Sequence, residues 1–236
     1  MTDWKELENL FKARLALARR PVAVSFLDAE PAGVPKFSGG EPAGCSYWRL
    51  AAGGRTFYTV PADHFNCAVG AYTHNIHLPP ERVQETEATL GMMFSLGYFR
   101  PEEVPGIPRL PKEPAAVVFS PLGDTPVPPS VVLFTCRTSA AMLLNEASIR
   151  AGAGNSLPLL GRPSCMAFPA ALAHGTVSTL GCIGNRVYTN LGADEFYVVV
   201  PGAKVEAVSD ALGVILSANA ALEEYARGRQ AALSTV

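Results

Sequence analysis

The residues with the most chemistry to offer in this chain are its five cysteines, Cys45, Cys67, Cys136, Cys165 and Cys182. Four of them, Cys45, Cys67, Cys165 and Cys182, have Gly, Ala or Pro close by, where the backbone can come near a bound group. Four thiolates suit zinc or an iron–sulfur cluster. Structural zinc sites usually carry short C-x2–4-C spacing, and this chain has none. An iron–sulfur cluster or another metal centre on these four cysteines is therefore the first expectation. Cys136 ends the apolar run SVVLFTC and reads as a core thiol. The plain alternative holds for all five, since Cys packs readily as a small hydrophobe.

Asp63-His64-Phe65-Asn66-Cys67 is the densest polar group. A histidine three residues from a cysteine could orient or deprotonate it, which opens a second reading: a metal-free thiol enzyme with Cys67 as nucleophile and His64 as base. His74 and His77 could offer imidazoles to a metal, or could sit in a turn before Pro79-Pro80. Gly181-Cys182-Ile183-Gly184-Asn185-Arg186 reads as a glycine-rich turn between strands, with N–H groups and Arg186 available to a ligand. A hairpin needs the same glycines for geometry alone. His64, Asn185 and Arg186 are the expected ligand-binding residues. No G-x-G-x-x-G, G-x4-G-K-[ST], H-E-x-x-H or G-x-S-x-G occurs, so the common nucleotide, metalloprotease and hydrolase motifs are missing.

The elements that must position these groups are mixed. Asp3 and Glu6 have capping-box spacing ahead of a stripe of Trp4, Leu7, Leu10, Phe11 and Leu15, which predicts a helix stopped by Pro21. PVAVSFL (21–27), RTFYTV (55–60), AAVVFSPL (115–122), SVVLFTC (130–136), HGTVSTLG (174–181), RVYTN (186–190) and EFYVVVP (195–201) read as strands. Helices are expected after Cys45, over 81–96 with Val83, Thr86, Leu90, Met93 and Phe94 inward, from Thr138 to Ile149, and from Val205 to about Leu233 with Leu222 and Tyr225 inside. Five prolines over 101–114 predict an extended connector. The sum is an α/β (or α+β) protein, a single compact domain over 1–236 with a mixed sheet flanked by helices.

Two segments, 21–72 and 130–190, echo each other: strand, cysteine, Ala-rich helix, strand, second cysteine. The order predicts an internal pseudo-duplication that would gather Cys45, Cys67, Cys165 and Cys182 around one centre. The 236 residues are 48% hydrophobic and 17% charged, with a net charge of -2, which excludes a disordered chain and gives no basic excess for nucleic acid. No apolar stretch of about 20 residues suggests a membrane span, and the charged, amphipathic N-terminus is unlike a signal peptide, so a cytoplasmic protein is expected.

PVAVSFLD, Cys45 before an Ala/Gly segment, HFNCAVG, GYFRPEEVPGIPRLP, FSPLGDTPVPPSVVLF and GCIGNRVYTNLGADEFYVVVP follow one another in an order that resembles the prokaryotic family called domain of unknown function 169. The resemblance runs over nearly the whole chain. It implies a cytosolic α/β protein with cysteines at defined places and brings no settled activity. The functional expectation is a redox or cofactor-binding protein whose partner is a small molecule or a redox protein. The alternatives are a ligand-binding module without chemistry and the Cys67–His64 thiol enzyme. The low charge content also predicts a homo-oligomer.

Overall fold

The structure is a computed structural model that describes residues 2–154 and 158–234. Its frame is a seven-stranded sheet of β1 (Val22–Leu27), β2 (Phe57–Thr59), β3 (Ala116–Pro121), β4 (Val131–Cys136), β5 (Leu159–Leu160), β6 (Val177–Thr179) and β7 (Phe196–Pro201), in the order β2-β3-β1-β4-β7-β6-β5. All pairings are antiparallel except β5 with β6, which is parallel. Eight α-helices are present among the described residues: α1 (Trp4–Leu15), α2 (Ser46–Ala52), α3 (Ala68–Thr73), α4 (Pro80–Ser95), α5 (Thr138–Arg150), α6 (Ala167–His174), α7 (Ile183–Thr189) and α8 (Val205–Leu233).

Both faces of the sheet are buried, which is why its strands read as continuous apolar runs rather than as alternating ones. Side chains still divide by the pleat. Ala23, Val132, Phe134, Cys136, Val198 and Val200 point to one face, where α1, α5 and α8 cover them with Phe11, Leu15, Leu144, Val208 and Leu212. Val22, Val24, Val131, Leu133, Tyr197 and Val199 point to the other, against Tyr47 and Trp48 of α2 and Phe168 and Ala171 of α6. The cap of α1 is local: the Asp3 carboxylate accepts the Glu6 N–H at 2.9 Å.

The two sides of the β1–β4 seam run in matching order. β2-β3-β1 on one side faces β4-β7-β6 on the other. Val22 lies opposite Pro121 as Val131 lies opposite Pro201, and Phe57 opposite Phe119 as Val177 opposite Val199. Lys36 bridges Tyr58 in parallel, as β5 does β6. Cys45 precedes Phe57 by the same number of residues as Cys165 precedes Val177. Segments 21–72 and 130–190 thus thread the sheet in corresponding order.

Several local expectations are corrected. Residues 186–190 are not a strand but most of α7, which Asn190 ends in the left-handed conformation. The beta-branched and aromatic residues that suggested a strand, Val187 and Tyr188, are exposed on the helix. In α4 no residue is buried, so Thr86, Leu90, Met93 and Phe94 are only half-buried and Val83 is exposed. The connector over 101–114 begins as a 3-10 turn, Pro101–Gly106. α8 buries Val205, Val208 and Leu212, while Leu222 and Tyr225 are exposed because the helix outruns the sheet. With its lead-in, Gly202–Leu233 is long and apolar enough, by length and composition only, to cross a membrane, and its first turns are packed in the core.

Candidate functional site

On the α2/α6 face the layers do not close. A cavity of about 700 Å³ remains, and Cys45, Cys67, Cys165 and Cys182 all line it. Each cysteine stands at the start of a helix. Cys45 precedes α2, Cys67 caps α3, Cys165 lies in the 3-10 turn leading into α6, and Cys182 caps α7. One pair comes from each side of the β1–β4 seam, so residues far apart in sequence converge. Cys136 is elsewhere, buried in β4 on the opposite face.

Local chemistry explains the placement. The Gly70 N–H donates to Cys67 Sγ at 3.3 Å, and the backbone of Gly44 and Val69 stands beside the same sulfur. A Cβ on Gly70 would sit 3.3 Å from that sulfur, so the glycine lets the first turn of α3 close on it. The Cys182 N–H donates to Ser164 Oγ, which ties the start of α7 to the turn that carries Cys165. Gly181 has φ +80, and a Cβ there would meet Asn185 Oδ1 and Leu191 Cδ2 at 2.9 Å. Glycine is what allows the chain to turn from β6 into α7 over Asn185.

The cavity carries no charged side chain among the described residues. Burial pushes the Cys45 thiol up to about 12, with Cys67 and Cys182 adding like charge. Burial likewise raises Cys67 against its N–H donors, and holds Cys165 well above the ordinary thiol value. It drives His64 down to about 4 and His74 down to about 3, His64 contributing to the latter. Near neutral pH both imidazoles are neutral, and Cys45, Cys67 and Cys165 are thiols unless something bound stabilises the thiolates. Among the described residues no three His, Cys, Asp or Glu side chains meet as a single-ion site.

The expected ligand residues separate. His64 lines the cavity, and its Nε2 is 2.9 Å from Thr59 Oγ1. Asn185 lines it too: its amide stands beside the Cys45 thiol, and neither Oδ1 nor Nδ2 makes a hydrogen bond of ordinary geometry. Arg186 is not part of the wall. Its guanidinium donates to the Gly192 and Glu195 carbonyls at 2.9 Å and closes the turn after α7. His74 and His77 also part company. His74 is buried in the cavity wall, stacked on Phe168 with centroids 5.7 Å apart, whereas His77 is exposed and bonded to Glu113. The left-handed Asn75, φ 56, ends α3 between them and breaks the shared helix face.

Sequence reasoning missed the outer wall. α4 and the segment after it lie across the cavity with Met92, Met93, Leu96, Tyr98 and Phe99. It also missed Trp48, whose ring packs on Phe168 at 4.9 Å and whose Nε1 has no partner.

A family model for the domain of unknown function 169, described as uncharacterised ArCR, matches residues 10–211. The chain is 28% identical over 178 residues to the uncharacterized protein MJ0308 of Methanocaldococcus jannaschii, which covers 71% of this chain and 75% of that protein. No solved structure matches it.

Proposed function

The chain belongs to the domain of unknown function 169 family, and for it we propose a redox or cofactor-binding role in which Cys45, Cys67, Cys165 and Cys182 hold an iron–sulfur cluster in the cavity. The observation that carries this reading is the convergence of four thiols, two from each side of the sheet seam, on one uncharged cavity. The residues suit such a group. In a [4Fe–4S] cluster each cysteine binds a different iron, so the four need not meet at one ion, and among the described residues they do not. Backbone N–H groups surround the Cys67 sulfur and would offset thiolate charge. The Asn185 amide beside Cys45 can donate in the same way. Bound there, a cluster would supply one-electron transfer. The protein would contribute uncharged walls, four sulfurs and neutral imidazoles.

The thiol-enzyme alternative has less support. Burial raises Cys67 rather than lowering it, and His64 Nε2 is directed to Thr59.

The test is anaerobic reconstitution of the full chain with iron and sulfide, followed by desalting, visible absorption, and iron and sulfide analysis. A brown protein with thiolate-to-iron charge-transfer bands is expected. Cys67→Ser, Cys45→Ser, Cys165→Ser and Cys182→Ser should each lose most of the iron, while Cys136→Ala keeps it. A wild-type protein that retains no iron, or a colour that survives all four substitutions, would overturn the reading.

A further inference from the structure

The cavity has more room than a small cluster needs, and about 700 Å³ falls within the range of sites for organic molecules, roughly 300–1,000 Å³. Its inner wall holds polar atoms that no described residue satisfies. His74 is 4% exposed, and neither Nδ1 nor Nε2 has a hydrogen-bond partner among the described residues. Trp48 is 2% exposed and its Nε1–H is likewise unpaired. Both rings pack on Phe168, so the two lie in one neighbourhood. Asn185, 2% exposed, adds a carboxamide that stands beside Cys45 and Tyr197 without a hydrogen bond of ordinary geometry among the described residues. A buried polar group without a partner is unfavourable, so several on one wall point to a ligand that satisfies them.

We infer that His74, Trp48 and Asn185 form a subsite for the uncharged polar head of a small amphiphilic molecule, whose apolar body lies along α4. Trp48 can only donate; a neutral imidazole and a carboxamide each donate and accept. A head group that both accepts and donates, such as a primary amide or a hydroxylated carbonyl, satisfies them together. Among the described residues no carboxylate, lysine or arginine lines the cavity to neutralise a charged head, so in the cluster-free protein an anion or a cation would be buried unpaired. Met92, Met93, Leu96 and Phe99 on the outer wall supply the apolar surface for the rest of the molecule. As the substrate site of a redox centre, this subsite rests on the cluster reading above; as a binding site it does not.

Three probes of equal length separate the possibilities by calorimetry on the full chain: hexanamide, hexanoate and hexylammonium. Hexanamide should bind at least about tenfold more tightly than either ion. His74→Phe, which keeps the stack on Phe168, should weaken hexanamide about tenfold while raising the melting temperature of the ligand-free protein. A polar group needed only for folding would not give that pair of changes. Asn185→Leu is the second variant and should also weaken hexanamide. Equal binding of the three probes, no binding of hexanamide, or unchanged affinity in both variants would overturn the inference. Iron content measured alongside keeps the two ideas apart. Discrimination without iron sinks the cluster and leaves the subsite, and iron without discrimination does the reverse.

Discussion

On the face covered by α1, α5 and α8, Cys136 is 1% exposed and packs among aliphatic and aromatic neighbours such as Phe134 and Leu144. On the opposite face Cys45, Cys67, Cys165 and Cys182 are each only partly covered and share a cavity with unpaired His74 and Asn185. The same residue type therefore sits in two environments a sheet's thickness apart. One is filled by protein. The other is left open and is lined by residues that carry buried polar atoms without partners among the described residues. A protein selected only for stability would close the second face as it closes the first, and the difference is what the proposed cluster or ligand would account for.

The contrast can be broken by substitution. The largest effect is expected on the filled face: Phe134→Ala removes a fully buried ring that stacks edge-on to Phe11 at 4.9 Å and should cost about 3–5 kcal/mol in denaturant unfolding. On the open face the sign should reverse. His74→Phe replaces an unpaired imidazole by a hydrocarbon ring and should stabilise the cluster-free protein by about 1 kcal/mol. A loss there as large as at Phe134 would mean the two faces do not differ.

A pH series sharpens the same comparison. His64 and His74 are held neutral well below the ordinary 6.5, so below that pH the unfolded chain takes up protons the native one refuses. Stability should fall as the pH drops from about 6.5 toward 4. Cys45 is raised from 9.0 to about 12, so the unfolded chain releases its proton first and stability should also fall as pH rises through that range. Thermal melts of the cluster-free protein should show a plateau between these limits, and His74→Phe should shorten the acid arm. The smallest effect is expected far from both faces. Leu222→Ser on the exposed end of α8 should change stability by less than about 0.5 kcal/mol, and a greater loss would show that another surface covers that end.

Much of the frame could be read from the chain because it rests on local rules. Pro21, Pro121 and Pro201 punctuate strands whose apolar runs are unmistakable, and Asp3 announces α1. Segment order also suggested that the four cysteines would gather, and the antiparallel β1–β4 seam sets the matched helices α2 and α6 on one face of the sheet. What could not be read was set by tertiary neighbours. RVYTN has strand-like residues, yet the turn at Gly181 and the Cys182 cap start a helix there. Arg186 offered a ligand on paper, but two carbonyls a few residues on claim it. His74 and His77 look equivalent until Asn75 turns the chain between them. Trp48 looks like any core aromatic until its Nε1 is seen to lack a partner.

The joint between β1 and β4 has a mechanical consequence. These strands share three residue pairs, whereas each shares six with its other neighbour, β3 or β7. Two sulfurs hang from either side of that short overlap. Anything that binds all four fastens the halves like a clasp, and its loss would be felt first as faster amide exchange along Val22–Val24 and Val131–Leu133, while the six-paired flanks stay shut.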